Sequence, residues 1–145
     1  MVTQFQGVTF LLLMCIIIIM LQVSKENGSY MIAKFDCHRG TPQGESGGLF
    51  IADSREKMAL LKSLNPDVRD WWIGLDDLES EDVFTWADNR RLTYEQRESL
   101  FQSGEPNDSG NNEDCVISIS HRDIFKLADR PCYKPYFWAC QIYPN

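Results

Sequence analysis

The side chains best suited to chemistry in this sequence lie within residues 104–115, which read GEPNDSGNNEDC. The carboxylate and amide side chains of this stretch include Glu105, Asn107, Asp108, Glu113 and Asp114. Oxygen donors at this density suit a hard cation or a catalytic water, whereas the simplest alternative is an exposed acidic loop. Because like charges this close repel unless protons or a cation neutralise them, a bound cation is favoured.

The acidic residues of the chain are concentrated between residues 76 and 114. The formal net charge is −7, and the basic residues of this stretch are Arg90, Arg91 and Arg97 alone. Nucleic acids need basic patches for their phosphates, so the composition excludes a nucleic-acid partner. A concentrated acidic surface favours a cation instead.

An enzymatic function is disfavoured by the same residues. Paired carboxylates can hydrolyse glycosides, but a general acid and a base need environments that separate their pKa values. So many carboxylates on one loop are typical of metal ligands instead. The two histidines, His38 and His121, are isolated, and the sequence contains neither a zinc-binding array nor a Ser-His-Asp pattern. We therefore expect a protein that is not an enzyme.

The N-terminus predicts a targeting segment. Residues 10–21 are uninterrupted apolar sequence, which Val8 and Val23 extend. The run is shorter than the roughly 20 residues that span a bilayer, so we expect residues 1–24 to be a signal peptide. Because no Lys or Arg precedes the run and no clean cleavage site follows it, a signal anchor through residues 8–23 is the alternative. Either segment predicts an extracellular protein, secreted in the first case and membrane-anchored in the second.

Four cysteines lie outside the hydrophobic run, namely Cys37, Cys115, Cys132 and Cys140. An even number of cysteines in an exported chain predicts two disulfides. The spacing alone allows three pairings.

The elements that must position the acidic loop are two early helices and several short strands. We expect helices at 29–37 and 54–64, the second capped by Asp53 with Glu56 in a capping box, and strands at 49–51, 71–75, 83–86, 115–120 and 137–143. Residues 38–48 are interpreted as a loop, and residues 87–105 show no period, so the fold class is α+β with a long acidic loop region.

Over residues 29–145 these features resemble the C-type lectin-like domain. The resemblance is carried by a set of motifs in this order: Tyr30-x-x-Ala33-x-x-x-Cys37, Gly47-Gly48-Leu49, Trp72-Ile73-Gly74-Leu75, Phe84-x-Trp86, Gly104-Glu105-Pro106-Asn107, Glu113-Asp114-Cys115-Val116, Asp129-x-x-Cys132 and Phe137-x-x-Cys140. It implies the C-type lectin-like fold, with two helices, short antiparallel sheets and a long calcium-binding loop region, and the disulfides Cys37–Cys140 and Cys115–Cys132. It also implies a calcium ion that itself contacts a sugar.

The resemblance assigns roles to particular residues. The sugar-binding calcium would be held by Glu105, Asn107, Glu113 and Asp129, with a cis peptide before Pro106 turning the first two toward the ion. In this family the order Glu-Pro-Asn favours mannose-type sugars over galactose. An auxiliary calcium site would use Asp77, Glu81, Asp108 and Asp114, with Glu113 shared between the two sites.

The chain departs from the family at several positions. The family's Trp-Asn-Asp triplet is Leu127-Ala128-Asp129 here, so one calcium ligand and one amide donor to a sugar hydroxyl are missing. A lost hydrogen bond of this kind costs about 1 kcal/mol, so we expect sugar binding to be weakened more than calcium binding. Most of the usual first strand is also missing. A glycosylation sequon begins at Asn27, the expected modified residue, and a second begins at the predicted ligand Asn107.

The sequence therefore predicts a secreted calcium-dependent lectin that binds mannose-type glycans on microbes or cells, weakened by Ala128. The alternative is a protein-binding module of the same fold, in which calcium only orders the loops. The expected partners are glycans or a protein ligand, and a membrane only if the N-terminal segment is uncleaved.

Overall fold

The computed structural model describes residues 21–143, so the predicted signal peptide lies almost entirely outside the described residues. The elements are β1 (Gln22–Val23), α1 (Tyr30–Gly40), β2 (Ser46–Leu49), α2 (Arg55–Leu64), β3 (Asp70–Asp76), β4 (Thr85–Trp86), α3 (Tyr94–Leu100), β5 (Cys115–His121), β6 (Ile124–Arg130) and β7 (Phe137–Tyr143). The α+β prediction is confirmed. No helix in the described part of the chain is both long and apolar enough to cross a membrane.

The strands form a mixed sheet around β3. Strand β3 pairs antiparallel with β5 and parallel with β7, where Trp71 lies opposite Phe137. Strands β5 and β6 form an antiparallel hairpin, and β1 and β2 both pair antiparallel with β7. The parallel β3–β7 contact is an addition to the predicted antiparallel sheets.

The core consists of two apolar clusters that share the sheet. Neighbouring residues of β3 divide between them, because successive side chains of a strand point to opposite faces: Trp71 belongs to the cluster under α2, and Trp72 to the cluster under α1. Strand β5 divides in the same way, since Val116 belongs to the first cluster and Ile117 to the second. Burial on both faces makes this sheet a rigid support for the loops beside it.

Both disulfides join the predicted partners. Cys37 in α1 is bonded to Cys140 in β7, and Cys115 at the start of β5 is bonded to Cys132 just after β6. The second bridge fixes the chain at the point where the acidic loop ends and β5 begins.

The start of α2 differs from the prediction. The N-cap is Ser54, whose hydroxyl accepts the backbone N–H of Lys57 at 3.3 Å, so the assignment of the cap to Asp53 is wrong. The Asp53 carboxylate instead lies 2.6 Å from Lys57 Nζ and 3.0 Å from Arg90 Nη2. The Asp53 carboxylate is therefore occupied by two cations, and the hydroxyl of Ser54 next to it serves as the cap.

Helix α3 lies within residues 87–105, where no regular structure was predicted. Its N-cap is Thr93, and the side chains of Thr93 and Gln96 form a reciprocal capping box. A helix of seven residues with one buried residue, Leu100, is too short to show an amphipathic period. Smaller differences lie at segment ends: α1 extends to Gly40, β2 begins at Ser46 and ends at Leu49, and β6 was not predicted.

The first strand uses the end of the hydrophobic run. Gln22 and Val23 pair with Cys140 and Ala139, and the Ser24 N–H donates to the Trp138 carbonyl at 3.0 Å. The described part of this strand is two residues long. Because residues 1–20 lie outside the described residues, the truncated first strand stays a prediction.

Candidate metal and ligand site

The site lies where β5 begins and β6 ends. Because β5 and β6 are antiparallel and Cys115 pairs with Arg130, the residues just before β5 lie beside the last residues of β6. The other end of the acidic loop is attached to the same hairpin, since the Gln102 N–H donates to the Leu127 carbonyl at 2.8 Å. The loop between residues 102 and 115 is therefore held at both ends against β6.

Three carboxylates converge in this region, contributed by Glu105, Glu113 and Asp129. One oxygen of each lies within 4.8 Å of the others. Among residues 21–143, this is the single group of three or more acid, histidine or cysteine side chains that could hold a metal ion. We name it the carboxylate trio. All three residues belong to the predicted sugar-site ligands.

Asp129 ties the loop to the sheet through its carboxylate, although the residue itself is fully buried. Its two oxygens accept the backbone N–H of Asn107 at 3.1 and 3.0 Å, and Oδ2 also accepts the N–H of Asp108 at 2.7 Å. Bonds to an ionised acceptor are the stronger kind of hydrogen bond, so this contact fixes the loop backbone beside the trio.

Asn107, the fourth predicted ligand, joins the same region. The Glu105–Pro106 peptide is cis, as the resemblance implies. The Asn107 Nδ2 donates to Glu105 Oε1 at 2.8 Å, so the amide and the carboxylate lie together on one side of the proline. The other Glu105 oxygen, Oε2, is buried and accepts no hydrogen bond.

The carboxyl group of Glu105 is a weaker acid than an ordinary glutamate. Burial raises the pKa of Glu105 to about 7, and the nearby Asp129 carboxyl adds to the effect. The Arg130 guanidinium, 3.6 Å from Glu105 Oε2, only partly offsets the charge of Glu105 and the carboxylates beside it. A divalent cation would supply the remaining charge.

The predicted auxiliary residues border a neighbouring cavity of about 300 Å³. It is lined by Asp77, Glu81, Asp82, Phe84, Pro106, Asn107, Asp108 and Asp129. Asp77 is only 4% exposed, and its Oδ1 has no hydrogen-bond partner. Burial, together with the nearby charges of Glu81 and Asp114, raises the pKa of Asp77 to about 6.

The other predicted auxiliary ligands, Asp108 and Asp114, and the shared Glu113 make hydrogen bonds with backbone groups near this cavity. Asp114 does not line it, but its carbonyl accepts the Asp77 N–H at 3.1 Å. The Asp108 carboxylate accepts the Glu113 N–H at 3.0 Å, and Glu113 Oε2 accepts the Ser109 N–H at 3.0 Å. Glu113 thus belongs to the trio and also contacts Asp108, and its role as a shared ligand stays a prediction.

Sequence reasoning missed Asp82 and Arg130. The Asp82 N–H donates to Asp77 Oδ2 at 2.8 Å, and the Arg97 guanidinium lies 2.8 Å from the Asp82 carboxylate. The sequence signal for Asp82 is its place directly after Glu81, in the acidic connection between β3 and β4. Arg130 Nη1 lies 3.6 Å from Glu105 Oε2, and nothing in the local pattern indicated that contact.

Ala128 is fully buried and lies opposite Ile117 in the apolar cluster that includes Trp72. Its methyl group offers no donor or ligand. Any larger side chain at this position has to fit beside that cluster before it can serve the site.

The donor set fits calcium. Calcium takes six to eight hard oxygens with loose geometry, and the trio, the Asn107 amide and water can provide them. One carboxylate oxygen each of Glu105 and Asp77 is buried without a hydrogen-bond partner, so these two oxygens are open to coordinate a cation. Both sequon asparagines, Asn27 and Asn107, are exposed.

Comparison with known proteins places the fold in a known group. The family model described as "Lectin C-type domain" matches residues 26–142. Collectin-10 of Xenopus tropicalis is 34% identical over 127 residues, which are 83% of this chain and 40% of that protein. The chain spans less than half the length of the first curated relatives it matches.

Solved structures agree with this. The C-type lectin CEL-I from Cucumaria echinata superposes with a TM-score of 0.72 at 17% identity, covering 85% of this chain and 89% of that one. The cow C-type carbohydrate-recognition domain of CD23, solved in the presence of a GlcNAc2Man3 oligosaccharide, gives a TM-score of 0.68 at 29% identity, covering 86% and 88%. The first likeness concerns the fold alone.

Proposed function

This chain belongs to the C-type lectin domain family, and on that premise we propose that it is a calcium-dependent carbohydrate-binding protein for mannose-type glycans. The observation that carries the proposal is the carboxylate trio, with Asn107 Nδ2 at 2.8 Å from Glu105 Oε1. A carboxylate acceptor and an amide donor beside a cation are what recognition of a sugar hydroxyl needs.

In this proposal Glu105, Asn107, Glu113 and Asp129 hold the sugar-binding calcium. Asp77, Glu81, Asp108 and Asp114, with Glu113 shared, hold an auxiliary ion. Calcium, when bound, provides coordination places for two neighbouring sugar hydroxyls. Glu105 would accept a hydrogen bond from one sugar hydroxyl, and Asn107 would donate a hydrogen bond to the same hydroxyl oxygen, while Asp129 keeps the loop backbone in place.

Mannose preference rests on the order of the residues around Pro106, which is a family-level argument. The buried methyl of Ala128 leaves Glu113 without an amide neighbour from β6, so one of the two hydroxyl contacts is incomplete. A missing hydrogen bond to a hydroxyl costs about 1 kcal/mol, which is roughly a fivefold loss of affinity. We therefore expect weak binding of single sugars.

A glycan array run with calcium and again with a chelator tests the proposal. We expect signal on mannose- or fucose-containing glycans that the chelator abolishes. Signal that survives the chelator, or signal restricted to galactose-terminated glycans, would contradict the proposed specificity.

A protein-binding module is the second candidate, and the absence of an amide at Ala128 is the observation that favours it. In that case calcium orders the acidic loop and a protein surface replaces the sugar. Calcium would then raise the melting temperature while the glycan array stays blank, which separates the two functions.

We further propose that the protein is exported, either secreted after removal of residues 1–24 or membrane-anchored through residues 8–23. The two disulfides support an oxidising compartment. Exposed Asn27 is the proposed glycosylation site. The C-type lectin domain family is not an enzyme family, and we propose no catalytic activity.

A further inference from the structure

Arg130 brings a positive charge directly to the carboxylate trio. It follows Asp129 at the end of β6, and its Nη1 donates to the Asp129 carbonyl at 2.6 Å. The same nitrogen lies 3.6 Å from Glu105 Oε2, the buried oxygen that accepts no hydrogen bond. The guanidinium is therefore the nearest counter-charge to an otherwise unpartnered carboxylate oxygen.

The other basic side chains near the loop are engaged elsewhere. Arg97 pairs with Asp82, and Lys126 donates to the Ser99 carbonyl at 2.9 Å. Within residues 21–143, the salt bridge of Glu105 with Arg130 is the one ion pair that involves the trio. A single guanidinium thus offsets part of a charge that three converging carboxylates share.

We propose that Arg130 is the built-in counter-ion of the carboxylate trio, so that calcium must displace its guanidinium in order to bind. This inference rests on the proposed calcium site and concerns its regulation. If Glu105 Oε2 coordinates a calcium ion, the Arg130 guanidinium cannot stay beside that oxygen, because the two positive charges repel each other. The Arg130 side chain is 28% exposed, so part of it already contacts solvent.

The consequence is a lower calcium affinity and a more stable calcium-free state. The guanidinium partly neutralises the trio when calcium is absent, and that interaction is lost when calcium binds. The binding threshold for calcium is thereby set by a residue that is not itself a ligand.

Three variants test the inference in the full chain: Arg130→Gln, Arg130→Lys and the control Arg39→Gln. Arg39 lies in α1 with a 73% exposed side chain and loses the same charge. Calcium affinity is measured by isothermal titration calorimetry with calcium chloride alone, and the melting temperature is measured in chelator. We expect Arg130→Gln to bind calcium about fivefold more tightly and to melt at a lower temperature in chelator. Arg130→Lys keeps the charge and should stay near the wild type, as should Arg39→Gln.

Unchanged or weaker calcium binding by Arg130→Gln, with the calcium heat itself preserved, would overturn this inference and leave the calcium site standing. An absence of calcium heat in the wild type would overturn both. A measurement on the wild type avoids any folding defect of the variant: the side-chain nitrogen NMR signal assigned to Arg130 should shift on calcium addition. A signal that stays fixed while calcium saturates the protein would also overturn the inference.

Discussion

Asp129 and Asn107 are joined by a forked hydrogen bond, in which both carboxylate oxygens of Asp129 accept the backbone N–H of Asn107 at 3.1 and 3.0 Å. One partner is fully buried at the end of β6, and the other is exposed on the acidic loop. This bond attaches Asn107, a loop residue that we propose contacts a sugar, directly to strand β6. Asp129 therefore has two roles in this account, as a calcium ligand and as the anchor of the loop.

The substitution Asp129→Asn should weaken both calcium binding and the stability of the fold. Loss of the ionised acceptor removes charge-assisted bonds worth about 1.5–3 kcal/mol each, part of which the amide oxygen recovers. We expect calcium affinity to fall by about tenfold or more, and the free energy of unfolding in chelator to fall by about 1–3 kcal/mol. Urea denaturation and calcium titration measure the two effects. Asp67→Asn, at an exposed position, is the control and should change neither.

Exchanging the residues around Pro106, with Glu105→Gln and Asn107→Asp together, reverses the order of acceptor and donor. We expect the double variant to lose calcium-dependent retention on mannose resin and to gain retention on galactose resin. Calcium should still raise its melting temperature, because one carboxylate and one amide remain. Equal retention of both proteins on mannose resin would rule out this source of specificity.

Ala128→Asn should restore the missing amide. We expect stronger calcium-dependent retention on mannose resin together with a lower melting temperature, because the added group must fit beside a buried apolar cluster at a cost of about 1–3 kcal/mol. Ala128→Leu adds similar bulk without a donor, so it should lose stability without gaining retention. If Ala128→Leu gains as much retention as Ala128→Asn, the donor explanation is wrong.

The raised pKa of Glu105 predicts that both the stability and the calcium affinity of the protein depend on pH. Its folded pKa of about 7 lies above the ordinary value of 4.5, so between these values the folded state binds more protons than the unfolded state. The stability that this group contributes is present at low pH and is lost as the pH rises through about 7. In chelator, the melting temperature should therefore decline between pH 5.5 and 8, whereas calcium affinity should increase, because calcium binds the ionised carboxylate.

A control isolates the contribution of Glu105 to this profile. Glu105→Gln cannot ionise, so its melting temperature in chelator should fall less between pH 5.5 and 8 than that of the wild type. Asp77, whose burial raises its pKa to about 6, contributes a separate part of the same trend. Identical profiles for wild type and Glu105→Gln would mean that Glu105 does not cause the effect.

The convergence of Glu105 and Glu113 could be anticipated because most of the proposed sugar-site ligands lie in one short stretch of sequence. Glu105 and Asn107 flank one proline, and Glu113 precedes a cysteine in the same loop, so a short motif identifies them. The disulfide pairing came only with the resemblance, because the spacing left three pairings open. Its confirmation follows from the way β7 and β6 bring Cys140 and Cys132 to their partners.

The features that escaped prediction depend on competition or on distant contacts. Asp53 is a good capping residue, but Arg90, far along the chain, draws its carboxylate away and leaves Ser54 as the cap. Helix α3 is set by its capping box and by Leu100 rather than by a hydrophobic period. The relation of Arg130 to Glu105 exists only because the end of β6 lies beside the loop.

Calcium-dependent sugar binding can be measured by calorimetric titration of calcium into chelator-treated, desalted protein, followed by titration of a mannose glycoside. We expect a saturable calcium heat in the wild type, a glycoside heat that appears only after calcium, and the loss of both in Glu113→Gln, which removes the charged ligand shared by the two proposed sites. Calcium binding of unchanged strength in Glu113→Gln, or glycoside binding without calcium, would contradict the proposed calcium-dependent sugar site.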